Sequence, residues 1–376
     1  MWDVETVRVV GDVTIEDGVT VTIMPGVLVE FEDYYRLEIA GTLLALGTPG
    51  ALIRFTTDDP QDFRIDQSHA GCWNGIRFHN TSAANAPSRL AHCIIEYSKA
   101  TGGGTGPYPY GGGALSAVDC SKLTIEHCII RNNVADYGGA MFLYRNASPR
   151  ILDNLIVENH ALQNAAAIYC AYSYPKLVNN TIVGNRIHNE NNPYIESCAA
   201  LSFISKPVFS NNIIRENDPD TVYMHSQLWN NKDHYTHYNN IEDYKTSGGN
   251  IDADPLFVAP GSGDYHLGTG SPCIDAADNT AVPEDITTDI DGDSRFVDDP
   301  DTEDTGHGDP PIVDMGADEY QPPECPADFD GDGDVDTADL LHLLGAWGTP
   351  AGDVDDDGDT DTSDLLALLA AWGECP

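Results

Sequence analysis

A short signature recurs five times through the middle of the chain and limits the folds that the chain can adopt. It is a Cys or Asn followed by two apolar or β-branched residues, and its copies follow one another at similar intervals. A second marker, a small residue before a large apolar one, recurs from Ala114 to Ala200 at nearly the same intervals. Two independent markers with similar spacing indicate that the period belongs to the architecture. The first signature begins at Cys93, Cys128, Asn154, Asn180 and Asn212.

Each repeat contains short β-branched runs that Gly, Asn or Pro interrupts, and these runs are too short for pairs of helices. Stacked β coils fit this pattern, because a single coil cannot bury its own apolar face and its neighbours bury it at about 4.8 Å per coil. If Asn154, Asn180 and Asn212 occupy one position in successive coils, their side-chain amides can form a hydrogen-bonded ladder. Cys93 and Cys128 continue that column, and we interpret all five residues as structural.

These repeats resemble the right-handed parallel β-helix family, in which three short strands per coil wind around an apolar core. The segments VTIEDGVTVTIMPGVLVEF and LEIAGTLLALGTPGALIRFT look like the opening coils of secreted bacterial β-helices. The segments NIDADPLF, GDYHL, SPCIDAADN, DIDGDSRF and VDMGADEY look like the closing coils of a bacterial extracellular subfamily. The resemblance implies an all-β right-handed parallel β-helix solenoid over residues 1–322. It implies no activity, because this fold carries lyases, hydrolases, adhesins and inert scaffolds alike.

The acidic residues are concentrated in the C-terminal third of the chain. The whole sequence has 61 Asp and Glu against 18 Lys and Arg, a net charge of −43, and residues 246–376 contain more than half of the acids but a single basic residue, Arg295. We expect no nucleic-acid partner, because the cations that neutralise phosphates are missing. A segment this acidic either stays disordered or binds cations. No apolar run reaches the ~18 residues of a membrane span, so we also expect no transmembrane segment.

Two acidic loops near the C-terminus have the spacing of an EF-hand calcium loop. Each places carboxylates at positions 1, 3, 5, 9 and 12 with Gly at position 6. Each loop is followed by apolar residues at helical spacing, which predicts a small module of two loop–helix units. Calcium is the predicted cofactor. The predicted ligands are Asp328, Asp330, Asp332, Asp334, Asp336 and Asp339, and then Asp353, Asp355, Asp357, Asp359, Asp361 and Asp364.

The two loops end on Asp where sensor EF-hands have Glu, and no helix precedes either loop. Both features are similar to the dockerin family of calcium modules, which join secreted enzymes and surface proteins to a partner domain. The resemblance implies a dockerin-like module over residues 323–376, a cohesin-like or other protein partner, and an extracellular or cell-surface location, with the signal peptide absent from this chain. It also implies that partner contacts involve Thr337, Ala338, Thr362 and Ser363. These are not a familiar recognition pair, so the identity of the partner stays open.

Further candidate sites depend on charge patterns alone. The D-x-D-x-D run of Asp289, Asp291 and Asp293 suggests a third cation site, with a solvated acidic turn as the alternative. Cys325 and Cys375 bracket the last acidic segment and could close it with a disulfide.

One basic residue stands a few positions before each of four repeat signatures. In a stack of coils such residues form a positive column that could bind an acidic polysaccharide, or that could relieve repulsion between neighbouring acids. The residues are Lys122, Arg150, Lys176 and Lys206.

No catalytic residues can be assigned from the sequence. The acidic side chains of Glu126, Asp136, Asp153 and Glu158 are available, but the signatures of polygalacturonases and pectate lyases are absent. The leading hypothesis is therefore a non-enzymatic, calcium-binding surface or matrix scaffold that its tail anchors or assembles. The alternative is a polysaccharide lyase or glycoside hydrolase delivered to an acidic polysaccharide by that tail. Residues 1–12 contain no capping helix, so the first coil is also a candidate for self-assembly through an open edge.

Overall fold

The computed structural model describes residues 1–102, 111–188, 201–204, 207–218, 222–224, 236–243, 248–322, 325–330, 334–355 and 357–374, with residues 201–204, 222–224 and 374 described for the backbone alone. The chain divides into two compact units. The first consists of Met1–Val297 and Asp304–Tyr320, and the second of Asp298–Glu303 and Gln321–Pro376. Within the described ranges, no helix is long and apolar enough to cross a membrane.

The first unit is a parallel β-helix, which confirms the predicted fold. Every third strand of the early coils joins the same sheet, and the strands of each sheet are parallel and in register. Sheet 1 contains Thr6–Val9, Leu28–Phe31, Ile53–Thr57, Cys93–Glu96, Ile129–Arg131, Leu155–Val157, Thr181–Val183, Ile213–Arg215 and Asn240–Ile241. Sheet 2 contains Val13–Ile15, Leu37–Ile39, Ile76–His79, Leu115–Val118, Met141–Tyr144, Ile168–Ala171, Leu201–Ile204 and Val222–Met224. Sheet 3 contains Thr20–Ile23, Thr42–Leu46, Ser88–Ala91, Leu123–Glu126, Arg150–Leu152, Lys176–Val178, Val208–Ser210 and Thr236–His237.

A shorter fourth sheet is inserted between sheets 1 and 2 from the fourth coil onward. It contains Lys99–Ala100, Val134–Tyr137, His160–Asn164 and Arg186–Ile187. The core forms because alternate residues of each strand point inward and stack on their equivalents in the next coil. In sheet 2, for example, Leu115, Met141 and Ile168 are partners in register, and all three are fully buried.

The predicted asparagine ladder is present at the corner between sheets 3 and 1. Asn154 Nδ2 donates to Asn180 Oδ1 at 2.9 Å, and Asn180 Nδ2 donates to Asn212 Oδ1 at 2.9 Å. The Cys128 amide donates to Asn154 Oδ1 at 3.0 Å, so the column also passes through the position of this cysteine. The residue before each ladder Asn has a left-handed backbone, as at Asp153 with φ of 51°. This corner conformation turns the chain and aims the Asn side chain into the core.

A second ladder, which the sequence analysis missed, occupies the corner after sheet 1. Its side-chain amides are hydrogen-bonded in series at 2.9 to 3.0 Å. Its separations of 26, 26 and 32 residues equal those from Cys128 along the first ladder, so the signal was present in the sequence. The residues are Asn133, Asn159, Asn185 and Asn217.

The last part of the first unit, residues 251–297 and 304–320, is named here the closing segment. It includes the antiparallel strands Phe257–Ala259 and Asp264–Leu267 and forms a second apolar core around Leu267, Cys273 and Met315. It also packs on the coils, since Ile286 contacts Leu152 and Val178 on the outer face of sheet 3. At the first coil, Thr6–Val9 and Val13–Ile15 are the terminal strands of sheets 1 and 2.

The second unit contains two helices, as predicted. These are α1, Thr337–Gly345, and α2, Thr362–Ala370, and a short antiparallel pair joins Asp334–Val335 to Gly373–Glu374. Its core consists of Ala327, Val335, Leu343 and Leu368, each at most 1% exposed. Cys325 is disulfide-bonded. The partner predicted for it, Cys375, lies outside the described residues.

Candidate functional sites

Each acidic loop closes onto the first turn of the helix that follows it. Asp339 Oδ1 accepts the Phe329 amide at 2.7 Å, while its Oδ2 accepts the Asp336 amide at 2.8 Å. Asp364 repeats this arrangement with the amides of Val354, at 2.7 Å, and Asp361, at 2.6 Å. In both units the Asp before the helix and the Asp at its third position form a reciprocal capping box. The loop–helix unit is therefore duplicated in its hydrogen bonds as well as in its sequence.

Three carboxylates converge in each loop. Their ligand atoms lie within 4.8 Å of one another in the group of Asp328, Asp330 and Asp339, and again in the group of Asp353, Asp355 and Asp364. The pKa of Asp359 is raised, mainly by the neighbouring Asp357 carboxylate and to a smaller extent by burial and by further acids nearby. A bound cation would relieve such repulsion between carboxylates.

Other predicted ligands cap a helix, hold the loop or are exposed to solvent. Asp336 and Asp361 cap the helices, with their Oδ1 atoms accepting the amides of Ala338 and Ser363 at 2.6 Å. Asp353 Oδ2 accepts the Gly358 amide at 2.8 Å, so the glycine turn folds back on the first ligand position. Asp334, Asp357 and Asp359 are exposed, and Asp332 lies outside the described residues.

The helices also present apolar side chains to solvent. Trp347 is 46% exposed and its equivalent Trp372 is 45% exposed, beside the exposed Leu344 and Leu369. The four predicted partner-contact residues, Thr337, Ala338, Thr362 and Ser363, are all exposed in the first turns of the helices. The duplication thus produces two similar surfaces, each with polar residues at the helix start and apolar residues further along.

The basic residues of the predicted column are only partly aligned. Arg150 and Lys176 are partners in register on sheet 3, but the register pairs Thr124, not Lys122, with Arg150. Lys122 is therefore outside the column, because it precedes its strand by one residue. Lys206 lies outside the described residues.

The three described bases all have partners within the first unit. Arg150 makes two hydrogen bonds to Asp285, at 3.0 and 2.6 Å, and Lys176 Nζ donates to the Ala281 carbonyl at 3.2 Å. Lys122 Nζ donates to the carbonyls of Ala83 and Asn85 at 2.6 and 3.2 Å. Arg150 and Lys176 thus hold the closing segment against sheet 3.

The carboxylates of Asp289, Asp291 and Asp293 do not converge in the described structure. Asp289 is buried, and its Oδ1 accepts the amides of Asp291, Gly292 and Asp293 at 2.9 to 3.0 Å. Asp293 is exposed, whereas Asp291 points toward His266. The D-x-D-x-D run is held as a tight turn by the first of its own carboxylates.

Three of the carboxylates considered for catalysis are buried in different environments. Glu126 forms an ion pair with Arg89, and Asp153, which follows the register partner of Glu126 in the next coil, is buried beside Arg295. Desolvation raises the pKa of Asp153 to about 6, although Arg295 opposes the shift. Asp136 is 4% exposed, and burial raises its pKa.

A pocket that the sequence analysis did not anticipate lies on the outer face of sheet 1. It has a volume of about 140 Å³, a floor of Ile129, Leu155 and Thr181, and a wall from the closing segment that includes His266 and Asp318. The hydrogen bond to Asp291 is the main reason that the pKa of His266 is raised to about 10, and burial raises the pKa of Asp318 to about 6. Only the fold brings these residues together, since they are far apart in the sequence.

Comparison with known proteins supports the fold and gives no activity. Residues 75–182 match the family model described as the right-handed β-helix region. Together with the stacked parallel strands, this match identifies the first unit as a right-handed parallel β-helix. No curated protein and no solved structure matches the chain significantly.

Proposed function

We propose that this protein is a secreted, calcium-binding scaffold of the cell surface or extracellular matrix, whose C-terminal dockerin-like module attaches the β-helix to a partner. The observation that carries the proposal is the duplicated convergence of three Asp carboxylates at the start of α1 and α2. Oxygen-only ligand sets of this kind suit Ca²⁺. The loop spacing supplies further ligand positions around each group, including backbone carbonyls.

The exposed helix faces support the attachment role. A small unit that exposes two Trp and several Leu side chains has apolar surface available for a protein interface, where aromatic residues contribute most of the binding energy. A cohesin-like domain is the partner that the module's resemblance implies. The two similar surfaces would allow either helix to make the contact.

The β-helix itself favours a structural role. Arg150, Lys176 and Lys122, which were candidates for a polysaccharide track, contact Asp285 and backbone carbonyls of the same unit. Binding of an acidic polysaccharide, and its cleavage by a lyase or hydrolase activity, remain the alternative. A screen for reducing sugars and unsaturated products over uronate polymers tests that alternative directly.

Calorimetric titration of the full chain with Ca²⁺ tests the proposal. We expect two binding events in the wild-type chain and one in each of the variants D339N and D364N, because these carboxylates complete the two groups. D285N, which alters an exposed acid of the β-helix, is the matched control and should retain both events. Unchanged calcium binding in the D339N/D364N double variant would overturn the proposal.

A further inference from the structure

The wall of the sheet 1 pocket contains a second type of ligand cluster. His266 follows Asp264 by two residues on the strand Asp264–Leu267, Asp291 lies in the turn that Asp289 stabilises, and Asp318 is near the end of the closing segment. One ligand atom from each of His266, Asp291 and Asp318 lies within 4.8 Å of the other two. We propose that these three residues bind a divalent transition-metal ion of the zinc type.

The orientation of the histidine supports this assignment. His266 Nδ1 lies 2.6 Å from Asp264 Oδ1, and its Nε2 lies 3.0 Å from Asp291 Oδ2. Metal-binding histidines usually hold one ring nitrogen against a carboxylate, which fixes the ring and directs the other nitrogen to the metal. Asp264 has this supporting position, so it is a positioning residue, while Nε2 faces the two carboxylates that would share the ion.

Asp318 is the most buried of the three proposed ligands. It is only 8% exposed and lines the pocket, and its Oδ2 accepts the Leu267 amide at 2.7 Å. Within the described residues, no hydrogen bond reaches its Oδ1. That oxygen keeps access to the pocket, where a carboxylate oxygen can act as a metal ligand.

The ligand set favours a particular class of metal. One imidazole nitrogen and two carboxylate oxygens match the nitrogen and oxygen ligands of zinc sites, whereas the acidic loops of the second unit offer oxygen alone. Three protein ligands leave the fourth position of a tetrahedral ion open. Because all three residues line the pocket, that position would face the cavity above Ile129 and Leu155, where water or an oxygen ligand can bind.

The site differs from the third calcium site suggested by the sequence. Asp291 is shared, but Asp289 directs its Oδ1 to three backbone amides and Asp293 is exposed. The new partners, His266 and Asp318, are distant from Asp291 in the chain, one on each side of it. A second His–Asp pair, His307 and Asp278 at 3.0 Å, belongs to no such cluster in the described structure and provides a matched control.

Zn²⁺ titration of the full chain, with Ca²⁺ in excess to occupy the acidic loops, tests the proposal. We expect one Zn²⁺ per chain in the wild type and in H307Q. Binding should weaken by at least about tenfold in H266Q and D318N, and by about 10- to 100-fold in D264N if Asp264 only supports the histidine. Equal Zn²⁺ affinity in H266Q, D318N and the wild type would overturn the proposal.

A spectroscopic measurement separates loss of the site from loss of the fold. Co²⁺ in place of Zn²⁺ should give visible absorption bands in the wild type and in H307Q but not in H266Q, while circular dichroism shows that each variant retains its β-structure. A Co²⁺ spectrum that H266Q leaves unchanged would count against the imidazole ligand. The calcium titration of D339N and D364N is unaffected by either result, so the two proposals can fail separately.

Discussion

Arg295 Nε lies 3.7 Å from Asp153 Oδ1, and both side chains are fully buried. Arg295 also lies 3.6 Å from Glu319, and its Nη2 donates to the carbonyls of Asp314 and Gly316. The one basic residue of the acidic C-terminal third thus joins the closing segment to a corner of the coils. Its charge offsets acids that the fold has removed from water.

This contact predicts a large effect of removing the cation. R295Q should lower the free energy of unfolding of the first unit by about 3 to 5 kcal/mol, because Asp153 and Glu319 are left buried without their positive partner. R8Q removes an exposed Arg near Glu30 and Glu32 and should cost less than about 1 kcal/mol. Denaturant unfolding measures both when it is monitored through the Trp fluorescence of the first unit, with Trp347 and Trp372 of the second unit replaced by Phe. Equal losses in the two variants would contradict the prediction.

The buried acids Asp153 and Asp314, both close to Arg295, predict how the stability of the first unit depends on pH. Burial raises the pKa of Asp153 to about 6 and that of Asp314 to about 8, above the usual 3.8 of an aspartate. The folded chain then binds more protons than the unfolded chain, so this contribution is complete below about pH 4 and is lost as pH rises through 6 and 8. Unfolding of the first unit should become easier between pH 5 and about 9. D153N, which places an Asn beside Asn179, should flatten the part of the curve near pH 6.

The asparagine ladder should be sensitive to truncation. N180A removes the acceptor of Asn154 Nδ2 and the donor to Asn212 Oδ1 inside the core, so we expect a loss of about 2 to 4 kcal/mol. N154C is the comparison, because Cys128 shows that a thiol fits the column and can donate to the carbonyl of Glu126. Thermal unfolding should rank N180A below N154C, and the reverse order would argue against the ladder as a main source of stability.

Calcium removal should affect the two units differently. We expect chelation to expose α1 and α2 to proteolysis, because the repelling carboxylates then lack a cation, while the β-helix stays resistant. Limited proteolysis with mass spectrometry locates the cleavages. Cleavage of the helices at the same rate with and without calcium would exclude coupling between calcium binding and their folding.

The basic residues of sheet 3 allow a decisive double variant. If Arg150 and Lys176 only hold the closing segment, R150Q/K176Q should lower stability slightly, by about 0.2 to 1 kcal/mol per contact. Binding to polygalacturonate should then be unaffected. If the two residues also bind an acidic polymer, its affinity and the salt dependence of that affinity should both fall. K122Q, which changes a base outside the column, is the control for both measurements.

The spacing of Asn154, Asn180 and Asn212 predicted the coil period because each ladder amide must meet its equivalent one coil away. The same spacing was present in the second ladder from Asn133 to Asn217. For the basic column, the unequal offsets between each base and its signature already contained the difference of register. Glu126 pairs with Leu152, and each stands two residues before its signature, so a base six residues before a signature lies two positions away from one that is four residues before it. Lys122 therefore lies off the column although it precedes its repeat signature.

The contacts of the closing segment could not be predicted from local patterns. Arg295 meets Asp153 from a distant part of the sequence, and His266, Asp291 and Asp318 converge only because the segment folds back on sheet 1. A repeat period in the sequence does not predict contacts between residues of this segment and the coils. In contrast, the helices of the second unit were predictable, because each begins at an Asp cap and follows a loop of fixed length.

The terminal strands of sheets 1 and 2 restrict how copies of this protein could associate. Thr6–Val9 and Val13–Ile15 are the terminal strands of sheets 1 and 2, and within the described residues no other strand pairs with their outer edges, which can therefore accept one. Two copies joined through the same edge would be related by a two-fold axis, with their strands antiparallel across the junction. Both copies would then have used this edge, so growth through it would stop at a closed pair instead of continuing into a fibre.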